Sequence, residues 1–200
     1  MNLNLSITTA VQESTGVQYF NVNAPDDFVQ LCKITDIVIE NDYFQVVGKV
    51  KSGEVISTSR QYYPDEKRAT SPEKYQKAIN IRLALIANIL RRFYGEDYVL
   101  EVPEGTGWTE MLKMVKEKCE PHFDKTLLWV KLVIEKSPKG YFTNISSFAP
   151  FENYVADKAP KLKTTAQDIN ALKERNEAVQ ATPDSDTSNT TSAKADDDPF

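Results

Sequence analysis

The run from Tyr43 to Tyr63, YFQVVGKVKSGEVISTSRQYY, decides the fold. It reads as two extended stretches joined at KSGE (51–54), the composition of a hairpin turn. Period-two alternation puts Phe44, Val46, Gly48 and Val50 on one side of the first stretch. Tyr43, Gln45, Val47, Lys49 and Lys51 fall on the other. One face is therefore apolar, and the other carries an aromatic ring and two lysines.

The same grammar recurs on either side. CKITDIVIE (32–40) is apolar and rich in β-branched residues, a strand. LLWVKLVIE (127–135) alternates Leu128, Val130, Leu132 and Ile134 against Leu127, Trp129, Lys131 and Val133. SPKG then turns the chain into YFTNISSF, a further strand. Between the strand groups, SPEKYQKAINIRLALIANILRRFYG (71–95) reads as a helix, with Ser71 as N-cap, Pro72 at the first helical position and Gly95 at the end. Ile79, Leu83, Ile86, Leu90 and Phe93 recur at three- and four-residue steps and predict its core stripe. TEMLKMVKEKC (109–119) is a second helix, closed by Pro121. The class is β-rich α+β, and no internal repeat is present.

Two hundred residues with 40% apolar and 26% charged side chains suffice for one sizeable core. Cys32 and Cys119 stand far apart, and the single histidine, His122, forms no tight ligand pair with them, so a structural metal is not expected. Lone thiols suit a reducing compartment. MNLNLSITTA has neither a basic start nor a long apolar run, and no stretch approaches the roughly 18 apolar residues of a membrane span. The expectation is a soluble, cytoplasmic protein.

The net charge of −5 hides a division along the chain. Residues 49–92 carry ten Lys or Arg against four acids, and residues 125–163 seven against three. The segments flanking these blocks are acidic. Two basic blocks on an acidic protein suit a localised anion-binding face.

From Thr182 to Phe200, TPDSDTSNTTSAKADDDPF holds no aliphatic residue larger than alanine. Such a stretch cannot offset the roughly 1–2 kcal/mol of backbone entropy lost per ordered residue, which predicts disorder over 182–200. Upstream, Thr165 as N-cap and Ile169, Leu172 and Val179 at loose helical spacing give a short, marginal helix inside a linker spanning 156–181. The folded domain is thus expected to occupy 1–155.

Catalysis finds little support. His122 has no serine or cysteine partner in a recognisable arrangement, no GxSxG elbow exists, and GEDYVLEVPEGTG lacks the lysine and context of a phosphate loop. PDEK (64–67) offers Asp65 and Glu66 to a metal-dependent nuclease only in the weakest sense. No cofactor is implied. Binding of a single strand fits better, since that needs cations tracking phosphates and rings on which bases stack. Tyr43, Lys49 and Lys51 share a face, as do Trp129 and Lys131. Arg60, Tyr62 and Tyr63 end the hairpin, while Lys136 and Lys139 flank the turn before Tyr141 and Phe142. A strand aromatic packs beneath a helix as readily as it faces a ligand. Lys131, however, lies between Val130 and Leu132 and needs a solvated side.

The chain end forms a portable ligand. Phe200 can fill an apolar pocket, its carboxylate can pair with a partner's Arg or Lys, Asp196, Asp197 and Asp198 can lie on a basic rim, and Pro199 limits the entropy lost on docking. At these residues the sequence resembles the single-stranded-DNA-binding proteins of bacteria and their phages, in which a disordered linker joins an acidic tail ending in Pro-Phe or Phe to an oligonucleotide/oligosaccharide-binding (OB) β-barrel. The resemblance implies an OB-like barrel elaborated with two helices, sequence-independent binding of single-stranded DNA, no enzymatic activity, and a tail (Asp196 to Phe200) that recruits replication, repair or recombination proteins. The tail lacks the aliphatic residue usual between the last Asp and Pro, and the body departs from the bacterial N-terminal pattern. A divergent phage-type version is therefore the expectation. An apolar helix face serves a core or a homo-oligomer equally. A protein-binding adaptor without affinity for nucleic acid is the rival reading.

Overall fold

The computed structural model describes residues 17–67 and 69–180. Seven strands form one mostly antiparallel sheet that does not close: β1 (Val29–Ile39), β2 (Tyr43–Val50), β3 (Val55–Ser57), β4 (Gln61–Tyr62), β5 (Leu128–Ser137), β6 (Gly140–Ile145) and β7 (Phe151–Asn153). The order across the sheet is β3-β2-β1-β5-β6, with β4 continuing beside β2 and β7 beside β5. Three helices accompany it, α1 (Pro72–Tyr94), α2 (Trp108–Cys119) and α3 (Ala166–Gln180). None of the described helices is long and apolar enough to cross a membrane.

Alternation in β2 holds as the sequence predicts: Phe44, Val46, Gly48 and Val50 are buried, and Lys49 is exposed. The same holds in β5, where Leu128, Val130 and Leu132 have no exposed surface. With Cys32, Ile34, Ile37, Ile56 and Ile145 they form the sheet's side of the core. In β1 the register slips between Ile34 and Asp36, a bulge directly opposite Gly48 and Val47. There a Cβ on residue 48 would stand 2.8 Å from the Lys33 carbonyl oxygen, so the close approach of β1 and β2 requires glycine.

The sheet's outer strands nearly meet. Thr58, just beyond β3, forms a parallel bridge to Ile145 at the end of β6. The N-terminal stretch lies along the same seam. Tyr19 bridges Val55, the Phe20 N–H donates to the Val55 carbonyl (2.9 Å), and the Val22 N–H donates to the Thr143 hydroxyl (3.2 Å).

The α1 helix starts and stops where its caps dictate. The Lys74 N–H donates to the Ser71 hydroxyl (3.3 Å), and Gly95, at φ +106°, donates its N–H to the Arg91 carbonyl (3.0 Å). Its core stripe is rotated from the expected one. Leu85, Ile86, Ile89 and Leu90 are buried, whereas Leu83 is 40% exposed and Ile79 only half-buried. Apolar residues at 79, 81, 83, 85, 86, 89 and 90 fit more than one face, and the sheet selects the one it can cover. Asn88 also clamps β7, its amide donating to the Phe151 carbonyl (3.2 Å) and accepting from the Phe151 N–H (2.9 Å). The α2 helix buries Leu112, Val115 and Cys119, then runs into a 3-10 turn at Glu120–His122 that contains Pro121.

Within the stretch expected to link domain and tail, Asp168 and Leu172 are buried where α3 meets β5 and the 3-10 turn at Pro25–Phe28. Thr165 caps α3 reciprocally with Asp168: the Asp168 N–H donates to the Thr165 hydroxyl (3.3 Å), and the Thr165 N–H donates to the Asp168 carboxylate (2.7 Å). Leu172 is buried, and beyond it most side chains are exposed.

Cys32 and Cys119 are free and buried, and burial pushes both thiols up to about 12. The thiolate is the reactive form. Neither cysteine should therefore react with a thiol reagent in the native protein near neutral pH, and both should react in denaturant. Native-state labelling at either position would contradict this packing.

Candidate nucleic-acid interface

Strand register carries the sequence-predicted residues of β2 onto one outer face and adds a residue the sequence reading missed. Lys33 of β1 lies directly across from Lys49, and both side chains are exposed. Lys51, at the end of β2, is exposed on the same face. Like charges directly opposite each other on a sheet repel, so the Lys33–Lys49 pair is a surface that favours an anion above it. Asp36 shares the face, but its carboxylate is paired with Lys116 of α2 at 2.6 Å. Lys33 escaped notice because a lysine in CKITDIVIE announces nothing until the pairing partner is known.

At the other end of β2 the face becomes aromatic. Tyr43 pairs with Tyr62 of β4, and their rings stand 5.6 Å apart at 57°. The Arg60 guanidinium lies 4.9 Å from the centre of the Tyr43 ring. Its hydrogen bond with Tyr62, and then the neighbouring Tyr43 and Tyr62 phenols, raise its pKa above the ordinary arginine value. Arg60 is thus a cation laid against the Tyr43 ring and bonded beside Tyr62. Tyr62 is 46% exposed. The frame beneath is rigid. Thr58, fully buried, accepts the Val46 N–H at its hydroxyl (3.0 Å), and Arg82 of α1 donates through Nε to the Tyr62 carbonyl (3.0 Å). From Tyr43 to Lys49 the strand rises roughly 20 Å, at about 3.4 Å per residue.

The remaining candidates lie elsewhere. Tyr63 stacks on Trp108 (6.2 Å, 11°) and donates its hydroxyl to the Glu40 carbonyl (2.8 Å), so its ring belongs to the packing beside α2. Lys136 and Tyr141 face each other on the β5–β6 hairpin, the ammonium 5.5 Å from the ring centre, with Lys139 in the turn. This hairpin extends past Val29, at the end of β1 opposite to Ile39, which pairs beside Tyr43. Lys131 is not solvated as its position suggested. Its ammonium pairs with the Asp168 carboxylate, donates to the Lys163 carbonyl (2.9 Å) and lies 5.2 Å from the Phe28 ring. Trp129 is half-buried beside Tyr154, the ring centres 6.0 Å apart.

Asp65 accepts the Lys67 N–H (2.9 Å) and is exposed with Glu66; no group of three acidic, His or Cys side chains among the described residues is placed to hold a metal ion. His122 packs among Phe93 and Tyr94 at 4.8 and 5.0 Å. Asp196, Asp197, Asp198, Pro199 and Phe200 lie outside the described residues. No protein-family model matches the chain, and no curated protein matches it.

Proposed function

We propose that this protein binds single-stranded DNA without reading its sequence, serves replication, recombination or repair, and recruits partner proteins through the acidic tail Asp196 to Phe200. It has no catalytic part in this reading. One observation carries it: a single outer sheet face bears two tyrosines and an arginine at one end and Lys33, Lys49 and Lys51 at the other. That is the combination of stacking surface and phosphate-tracking charge that a strand requires. The strand order supports an OB-like barrel as its scaffold. A β1-β2-β3 meander is followed by α1, then by β5 beside β1 and β6 beside β5, while Thr58 and Ile145 bring the outer strands together. An OB fold is a five-stranded, partly open barrel that uses the face of its second and third strands for oligonucleotides. Of the residues above, Tyr43 and Lys49 are on β2, with Lys33 on β1 and Tyr62 on β4 paired beside them.

Fluorescence anisotropy with labelled oligo(dT) over a range of salt concentrations tests the proposal. Binding should weaken with salt by about 0.7 log units per log unit for each phosphate contacted. Replacing Tyr43 and Tyr62 together with alanine should cost tenfold or more, given about 1–3 kcal/mol per stacked base. Lys49→Ala should flatten the salt slope without changing base preference. Absence of binding at low salt would leave the adaptor reading in its place.

A further inference from the structure

We infer that a cleft beside Trp129, beyond the tyrosine and lysine track described above, is a second nucleotide subsite that takes one base on the Trp129 ring and its phosphate on Lys158 and Lys161. The inference rests on the strand-binding reading and extends it to a site on β5, β7 and the segment that follows. The cleft has a volume of about 290 Å³ and is lined by Arg92, Glu96, Trp129, Glu152, Lys158 and Lys161, among others. That is near the lower end of small-ligand sites, enough for a single nucleotide unit.

Its walls are fixed. Glu152, paired with Trp129 across β5 and β7, accepts the N–H groups of Lys161 (2.8 Å) and Leu162 (3.1 Å), which ties the 158–162 segment to the sheet as one side of the cleft. That leaves the ammonium groups of Lys158 and Lys161 exposed, and among the described residues neither is in an ion pair with a carboxylate. The Arg92 side chain, also in the lining, is only 13% exposed. One of its terminal nitrogens pairs with Glu96, and its Nε is buried with no hydrogen-bond partner among the described residues. A buried N–H donor without an acceptor is costly, and an oxygen of a bound phosphate or base would satisfy it. A flat ring, an orphaned donor and three cations, against two carboxylates already held by Arg92 and by backbone N–H groups, suit a nucleotide better than an apolar ligand.

Register connects this cleft to the lysine track. Trp129 lies across from Leu31, two residues before Lys33 on the same face of β1. Lys131, the nearer lysine in sequence, is occupied by Asp168 and supplies no phosphate contact. A strand leaving Lys33 and Lys51 therefore reaches Trp129 next.

The test uses the full-length chain and its two tryptophans, Trp108 and Trp129. In a Trp108→Phe background, titration with oligo(dT) should quench Trp129 emission. Should that background fail to fold, the difference between wild type and Trp129→Phe reports the same signal. Lys158→Ala with Lys161→Ala, both at exposed positions, should lower oligo(dT) affinity by about tenfold and flatten the log–log salt slope by up to about 1.4, two phosphates' worth. Oligo(dT) binding with Trp129 unquenched and the double variant unchanged would overturn the subsite while leaving the strand-binding reading intact. No oligo(dT) binding at all would overturn both. Quenching by the peptide Asp-Asp-Asp-Pro-Phe but not by oligo(dT) would overturn the nucleotide assignment and make the cleft a peptide site.

Discussion

Asp168→Ala is expected to cost about 3–5 kcal/mol and to open residues 158–180 to trypsin at Lys161 and Lys163. The magnitude is that of removing one partner from a buried ion pair, because the other charge is left without compensation. Lys131 and Asp168 have side chains 13% and 9% exposed, so water can replace little of what is lost. The same substitution removes the carboxylate that accepts the N–H and hydroxyl of Thr165, and with it half of the α3 cap. Lys131→Met should behave alike in stability, and it should leave the salt slope of DNA binding unchanged. That second result separates a structural lysine from a phosphate-binding one. Lys131→Met with Asp168→Leu should recover part of the loss, since neither charge then remains buried. Urea denaturation and timed proteolysis measure each case.

The pair also sets a pH dependence. Burial alone would raise the Asp168 carboxyl, but the hydrogen bonds from Lys131 and Thr165 outweigh it and hold the group below its ordinary value of 3.8. A carboxyl with a depressed folded-state value contributes its full stability above the unfolded value and loses it as pH falls through the folded one. Residues 158–172 should thus stay docked down to about pH 3.8 and loosen below it. Asp168→Asn should remove that acid-sensitive step.

The second large effect is expected at Gly48. Alanine there would place its Cβ 2.8 Å from the Lys33 carbonyl oxygen, a backbone atom that cannot rotate away. Overpacking of this kind costs about 1–3 kcal/mol. Gly48→Ala should therefore lower the denaturation midpoint markedly, and Gly48→Val, with two further methyl groups against β1, should prevent folding. An unchanged midpoint for Gly48→Ala would mean that the β1 bulge absorbs the contact. Because Gly48 lies beneath Lys33 and Lys49, a folded Gly48→Ala protein should also bind oligo(dT) less tightly, through displacement of the lysine pair.

Local period made most of the elements legible. Alternation in YFQVVGKV and LLWVKLVIE named the buried residues of β2 and, as far as Leu132, of β5, while Ile134 is only half-buried, and Ser71, Pro72 and Gly95 marked both ends of α1. Pairings made at long range were not legible. Lys131 needed a polar environment, as its place between Val130 and Leu132 demanded, but an acid 37 residues later meets that need in place of solvent. Tyr63 is next to Tyr62 in sequence, yet Trp108 claims its ring. Lys33 joins the face only through its register with Lys49, and β7 is too short for any period to reveal. The cleft beside Trp129 depends on β5, α1 and the 154–161 segment together, so Trp129 was a candidate from the sequence but its surroundings were not.

The seam between the sheet's outer strands has a consequence for the order in which a growing chain becomes safe. The β1–β2 and β5–β6 hairpins join near neighbours and can form early, whereas the Val22–Thr143 bond joins residues 121 apart. The residues that will cover the β3 edge leave the ribosome more than a hundred residues before the strand they meet. Until Ile145 emerges, the nascent sheet has open edges able to pair with another chain. Translation that pauses before residue 145 thus holds the protein in its most aggregation-prone form, and a chain truncated there retains that form permanently.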